Sequence, residues 1–186
     1  SFLGFRETAW ASLLECSRPP PASPMSEQIE VLKAVAGKLS EAGIPYMVSG
    51  SVAMNFYAQP RMTRDIDVVV EALPAAWRRL SALFQQDFHT DEEDIRESLR
   101  TRGIFNIIHR AAMVKVDFIV RKDAPYRRVE FERRRALTLE GTEIWAASPE
   151  DLLLSKLDWA KDSRSELQLR DARNLIVSVP EMDWGY

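Results

Sequence analysis

Two aspartates one residue apart, Asp65 and Asp67, open the apolar run Val68-Val69-Val70. Gly50-Ser51 ends fourteen residues before them, and a lone Asp117 sits inside a second apolar run at 113–120. Side chains of an extended strand alternate between faces, so Asp65 and Asp67 share one. Two carboxylates so close in a half-buried place repel each other and lose hydration. Both stay ionised near pH 7 only beside a cation. Mg²⁺ suits them, because it takes oxygen ligands octahedrally, keeps several waters and binds one or two protein carboxylates together with substrate phosphates. Asp117, with Lys115 and Ile119 on its face, becomes a third carboxylate if its strand pairs beside the first. Three would serve two metal ions about 3.5–4 Å apart that clamp the attacking and leaving oxygens of a displacement at phosphorus. The chemistry expected of such a set is metal-assisted nucleotidyl transfer, with Asp117 as metal ligand or as general base for an acceptor hydroxyl.

Residues 45–49 read as a strand and 51–59 as a short helix, which makes Gly50-Ser51 the turn between them. Glycine lets the backbone approach an anion closely, the first N–H groups of the helix point outward, and a serine hydroxyl adds a donor. A triphosphate is the anion expected there. Taken singly these signals are weak: an Asp-x-Asp is often an exposed turn, and Asp117 could simply pair with Lys115 or an arginine. The valines after Asp67 argue against an exposed edge, and the ordered set outweighs its parts.

Positioning these groups requires a sheet. The expected elements are a helix at 26–42, strand 45–49, helix 51–59, strand 64–70, a helix from Pro74 to about Gln86 and a charged helix at 91–102. Then come a hairpin of 104–109 with 113–120, short strands 136–139 and 143–146 around Gly141, and helices 149–161 and 164–177. The plan is α+β, a small mixed β-sheet carrying the carboxylates with flanking helices and a C-terminal helical pair. Residues 26–147 form the core and 148–186 the helical segment.

Gly50-Ser51, Thr63-Arg64-Asp65-Ile66-Asp67, Val116-Asp117-Phe118 and Ser148-Pro149-Glu150-Asp151-Leu152 followed by Lys156 resemble the nucleotidyltransferase superfamily with the DNA-polymerase-β-type fold. Within it they resemble the small bacterial AbiEii-type toxin nucleotidyltransferases, over roughly residues 27–186. The resemblance implies a minimal nucleotidyltransferase fold, with metal on Asp65, Asp67 and Asp117 and the triphosphate on Gly50 and Ser51. It also implies contributions to the site from Lys156 and Asp171. It further implies Mg²⁺, an NTP as donor and a cognate antitoxin as partner.

The residues themselves speak to Lys156 and Asp171. Ser148-Pro149-Glu150-Asp151 has an N-cap serine, proline at the first helical position and acids in the first turn. At about 100° per residue Leu152, Leu153, Leu157 and Ala160 form an apolar arc that contains Lys156. Asp171 lies one turn from Leu167 and Leu175 on the next helix. Two readings of Lys156 stand side by side, a stem with its ammonium in water and a contact to triphosphate oxygens. An ion pair between Lys156 and Asp171 is the simplest structural alternative. Arg64 falls on the opposite strand face from Asp65 and is read as structural.

The chain has 186 residues, 46% of them hydrophobic, enough for a real core. Its single cysteine, Cys16, cannot pair within the chain, and no run reaches membrane-spanning length, which together suggest a reducing cytoplasm. Residues 1–25, with the Pro-rich stretch 17–24, read as a flexible extension, or as a tail docking through Phe2, Leu3, Phe5 and Trp10. At the other end Asp183-Trp184-Gly185-Tyr186 looks like the opening of a further segment in the resembling family. Net charge −3 argues against bulk attraction to nucleic acid, although 121–135 holds Arg121, Lys122, Arg127, Arg128, Arg133, Arg134 and Arg135, offset by Asp123, Glu130 and Glu132. That stretch is either solvated surface or a contact for phosphates, and it tips the expected acceptor toward an RNA or tRNA end over a small molecule or a protein side chain. His89 and His109 are too isolated for a metal site. Two other readings keep the same fold: a non-catalytic nucleotide-binding or antitoxin-like module, and a phosphohydrolase with water as acceptor.

Overall fold

The structure, a computed structural model, describes residues 23–163 and 165–185. The expected docking of residues 2–10 lies outside them. Helix α1 (Pro24–Glu41) starts at Pro24 rather than Ser26, because Ser23 caps it by accepting from the Ser26 N–H, and proline suits the first turn. The chain then runs through β1 (Tyr46–Ser49), α2 (Gly50–Met54), β2 (Asp65–Val70) and a 3₁₀ turn (Pro74–Ala76). It continues as α3 (Trp77–Phe84), β3 (Phe88–His89), α4 (Glu92–Thr101), β4 (Ile104–His109) and β5 (Lys115–Val120). Last come α5 (Pro125–Glu132), β6 (Arg135–Leu139), β7 (Thr142–Ala146), α6 (Pro149–Ser163) and α7 (Glu166–Ser178).

The seven strands among the described residues form one mixed sheet in the order β3-β4-β5-β2-β1-β7-β6. The expected α+β plan is the one observed. β2 lies antiparallel to β1 and parallel to β5, and β4 closes the expected hairpin with β5. In β2, Ile66, Val68 and Val70 are buried; in β5, Val116, Phe118 and Val120 are. Because the two strands pair in parallel with Asp67 opposite Asp117, their apolar sets share one face and their acids the other. Phe118 packs on Phe84 of α3 and stacks on Phe105 of β4, so the core under the carboxylates is aromatic.

Several elements differ from expectation. The helix read at 51–59 stops at Met54, and Asn55, Phe56 and Tyr57 continue as tight turns with i→i−3 bonds into a loop ending at β2. The helix read from Pro74 opens as a 3₁₀ turn. The edge strand β3 is too short to show alternation. Helix α5 carries no apolar stripe, because its buried members are Phe131 and Glu130, the latter paired with Arg127 at 2.7 Å. On α6 and α7 the apolar arcs are narrower than read: Leu152, Leu153, Ala160 and Leu175 are buried, whereas Leu157 and Leu167 are exposed. No helix among the described residues is long and apolar enough to cross a membrane.

Candidate active site

The pairing register sets a row of side chains across four strands: Ser49 of β1, Asp67 of β2, Asp117 of β5 and Asn106 of β4. Asp65 lies two residues before Asp67 on the same face, opposite Lys115. Asp65, Asp67 and Asp117 therefore share one face of the sheet, as expected. Arg64 is exposed and on the other parity.

At one end of the row the chain turns sharply. Gly50 has φ +63°, and a Cβ there would fall 2.0 Å from Asp67 Oδ2, so only glycine lets the Asp67 carboxylate press against the turn. The helix that follows, α2, is only five residues long and supplies little dipole. Side chains bring the positive charge instead. Lys156 Nζ donates to Asp171 Oδ2 at 3.0 Å and to Ser51 Oγ at 3.3 Å. Arg61 donates through Nη2 to Ser51 Oγ at 2.5 Å and to Asp171 Oδ2 at 2.8 Å, and through Nε to Asp171 Oδ1 at 3.0 Å. The Lys156–Asp171 pair is real, and it is joined to Ser51 rather than separate from the site. Lys156 and Asp171 are 6% and 2% exposed, which rules out a stem reaching water. Helix α6 is set for this by the serine N-cap expected at its start: Asp151 N–H donates to Ser148 Oγ at 3.2 Å.

The electrostatics divide the site into two halves. Burial pushes the Asp67 carboxyl up to about 6, reinforced by the charges of Asp117 and Asp65 and opposed by Lys156 and Lys115. The hydrogen bond from Lys115 to Asp117, 2.8 Å long, lifts the Lys115 pKa, with burial opposing. For Asp171 burial works upward, but the hydrogen bonds from Arg61 and Lys156 outweigh it and hold the carboxyl below its ordinary value. One half is crowded with carboxylate; the other is cationic around Ser51. Lys156→Met should leave Asp171 held by Arg61 alone. The expected stability loss is about 1–3 kcal/mol, measured by urea unfolding, short of the cost of a fully orphaned buried charge.

Among the described residues no three His, Cys, Asp or Glu side chains are gathered closely enough to cage a metal ion by themselves. The donor set nevertheless fits Mg²⁺. Asp65 and Asp67 are oxygen donors side by side, the Asp67 carboxylate carries an electrostatic cost that a cation would relieve, and Mg²⁺ needs only one or two protein carboxylates beside water and phosphate. Asp117 is engaged by Lys115 and stands next in the row.

The basic stretch 121–135 is mostly spoken for within the fold. Arg121 pairs with Glu71, Arg127 with Glu130, Arg128 with Asp123, Arg133 with Asp151 at 3.5 Å and Arg135 with Glu150 at 3.0 Å. Arg134 lies over the rings of Phe131 and Trp145. Glu150 and Asp151 are buried, so Arg133→Glu would set a third carboxylate against them. The expected result is a loss of about 2 kcal/mol or more in urea unfolding.

Sequence reasoning missed Arg61, Asn55 and Asn106. Arg61 lies in a loop without periodicity, where no face can be assigned. Asn106 needed the β4–β5 register, and Asn55 was hidden inside an overlong helix.

The mixed sheet carries paired acids on β2, a third acid on its parallel neighbour β5 and a Gly-Ser turn beside them. Several solved structures share the fold. An antigenic nucleotidyltransferase-like protein from Paracoccidioides brasiliensis superposes with TM-score 0.59 at 22% identity, over 83% of this chain and 76% of that one. The antibiotic-resistance factor ANT(2'')-Ia does so with TM-score 0.57 at 13% identity, over 82% and 84%. The lincosamide antibiotic adenylyltransferase LnuA, bound to lincomycin, gives TM-score 0.52 at 13% identity, over 80% and 94%. No curated protein matches in sequence. The profile of the family described as "Nucleotidyl transferase AbiEii toxin, Type IV TA system" matches residues 34–173, and the chain belongs to that family. It is a nucleotidyltransferase, an enzyme of nucleoside monophosphate transfer.

Proposed function

We propose that this enzyme is Mg²⁺-dependent and transfers NMP from an NTP to a hydroxyl at an RNA end, tRNA first among candidates, as the toxin of a pair with a cognate antitoxin. The observation that carries this reading is the division of the site: a cationic half at Ser51, Arg61 and Lys156 adjoins the row Asp67–Asp117 across which the strands are paired.

The triphosphate lies with its β- and γ-phosphates at Gly50, Ser51 and Lys156 and its α-phosphorus over Asp65 and Asp67. The acceptor then enters from the Asp117 side, in line with the departing pyrophosphate. Its oxygen bonds to the α-phosphorus, the bond from that phosphorus to the bridging oxygen breaks, and Asp117 takes the hydroxyl proton. Lys156 stabilises the charge that builds on the leaving pyrophosphate. Asp65, Asp67 and Asp117 would hold Mg²⁺, two ions during catalysis, and the metal would supply positive charge to offset what builds up during transfer. Asp171 sets the position of Lys156.

With most arginines of 121–135 paired internally, support for an RNA acceptor moves elsewhere. A cleft of about 370 Å³ opens beside Asp65 and Lys115 between the start of α1 and the loop before β2, lined in part by Met25, Met62, Met113 and Arg64. Thioethers accommodate a flat base, and the exposed Arg64 is placed for its phosphates, with Glu27 and Asp65 on the same lining. Incubation with total RNA and NTP labelled at either the α- or the γ-phosphate tests the proposal. The α-label should enter RNA only with Mg²⁺, and the γ-label should leave as pyrophosphate. Release of free NMP would replace transferase with hydrolase.

A further inference from the structure

We infer that Arg61 is a further triphosphate-binding residue, held in place by Asn55 and resting on Asp171 until phosphate oxygens replace that carboxylate. This rests on the reading that Gly50-Ser51 faces the triphosphate.

The first ground is charge. Asp171 carries one negative charge and is contacted by two cations, Lys156 at 3.0 Å and Arg61 through both Nε and Nη2. Either would suffice to neutralise it. The surplus positive charge stands at the Gly-Ser turn, since both cations also reach Ser51 Oγ. A hydroxyl oxygen accepting from two donors directs its own hydrogen away from them, so Ser51 too presents a donor outward.

The second ground is shape. The planar guanidinium fork fits carboxylate and phosphate oxygens alike, so the Asp171 carboxylate occupies the fork as a phosphate group would. The Arg61 side chain is a quarter exposed, with Nη1 donating to Met62 O at 3.3 Å on the exposed side, so the guanidinium reaches the surface while its Nε–Nη2 edge rests on buried Asp171.

The third ground is preorganisation. If Arg61 served only to pin Asp171, its own position would depend on that contact. Instead its backbone is fixed independently: Asn55 Nδ2 donates to Arg61 O at 3.1 Å, and Arg61 N–H donates to Asn55 Oδ1 at 3.1 Å. The flanking residues are tied as well, Gln59 O by Asn174 at 3.2 Å and Thr63 O by Gln28 at 3.3 Å. The loop from Gln59 to Thr63 thus presents Arg61 whatever its fork holds, and little ordering remains to be done when phosphate binds.

The test is calorimetric titration of the full chain with NTP, inorganic pyrophosphate and NMP, in Mg²⁺, beside melting curves. Arg61→Gln should weaken NTP and pyrophosphate binding roughly 10–100-fold, the scale of a lost charged hydrogen bond, and leave NMP binding within about twofold. Arg61→Lys keeps the charge without the fork and should fall between. It serves as the test variant if the glutamine form does not fold. Equal losses for NTP and NMP, or unchanged pyrophosphate affinity, would overturn the inference and leave a strut for Asp171. NTP binding by the wild-type chain that Arg61→Gln retains would overturn this inference alone. No NTP binding by the wild type would overturn the functional reading together with it.

Discussion

Asp67→Asn abolishes nucleotidyl transfer and at the same time makes the folded chain more stable above pH 7: that is the expected result, and its two parts have one cause. The Asp67 carboxyl is pushed up to about 6 from an ordinary 3.8 by burial and by the neighbouring Asp117 and Asp65 charges. Between those values the folded chain holds a proton that the unfolded chain has released. Stability therefore falls as pH rises from about 4 to about 6, and above that the full cost of an ionised Asp67 is present, on the order of 2–3 kcal/mol. Asparagine has a similar shape and no charge. Relative to wild type it should be stabilising by about 1–3 kcal/mol at pH 8 without divalent cations, and the difference should close by about pH 4. Mg²⁺ should stabilise the wild type and leave the variant unmoved, because the cation relieves a repulsion the variant lacks. Melting curves against pH, with and without Mg²⁺, read every part of this. A variant less stable than wild type at pH 8 would show Asp67 to be a structural partner rather than a group strained for function.

Gly50→Ala carries the second largest effect. Two penalties act together: an alanine at φ +63° costs about 1–2 kcal/mol, and its methyl would stand 2.0 Å from Asp67 Oδ2. That oxygen must move. The carboxylate cannot swing toward Asp117 without increasing the repulsion it already feels, so the row across the strands is broken at its centre. Transfer should fall at least about 100-fold, since misplacement by about 1 Å at a reacting centre has that effect. Unfolding free energy should drop by about 1–3 kcal/mol. A rate measurement with urea unfolding on the same preparation distinguishes this from simple loss of fold. Near-normal transfer by the alanine variant would mean that Asp67 need not lie against the turn.

Much of this was legible from the residues. Alternation in Asp65–Val70 and Lys115–Val120 places the acids on one face, and the Gly-Ser turn announces itself by composition. The Ser148 cap and the inward Lys156 and Asp171 follow from helical spacing. What escaped depended on contacts distant in sequence. Arg61 and Asp171 are 110 positions apart, and nothing near Arg61 signals that it meets a helix near the end of the chain. The arginines of 121–135 looked like a surface because their partners, Glu71, Glu150 and Asp151, lie on other elements. A charge run read along the chain cannot show which charges are already matched. Helix α5 was hidden for a related reason: its buried face includes Glu130, acceptable only because Arg127 neutralises it.

The measurement that bears most directly on the site is titration of the chain with each of the four NTPs, with Mg²⁺ and with chelator, beside Asp67→Ala. It needs no acceptor. The expected result is Mg²⁺-dependent binding at roughly micromolar affinity, about −8 kcal/mol, lost in the variant while its fold persists. The contrary result is a folded wild-type chain that binds none of the four, or that binds equally well with chelator and with the acid removed.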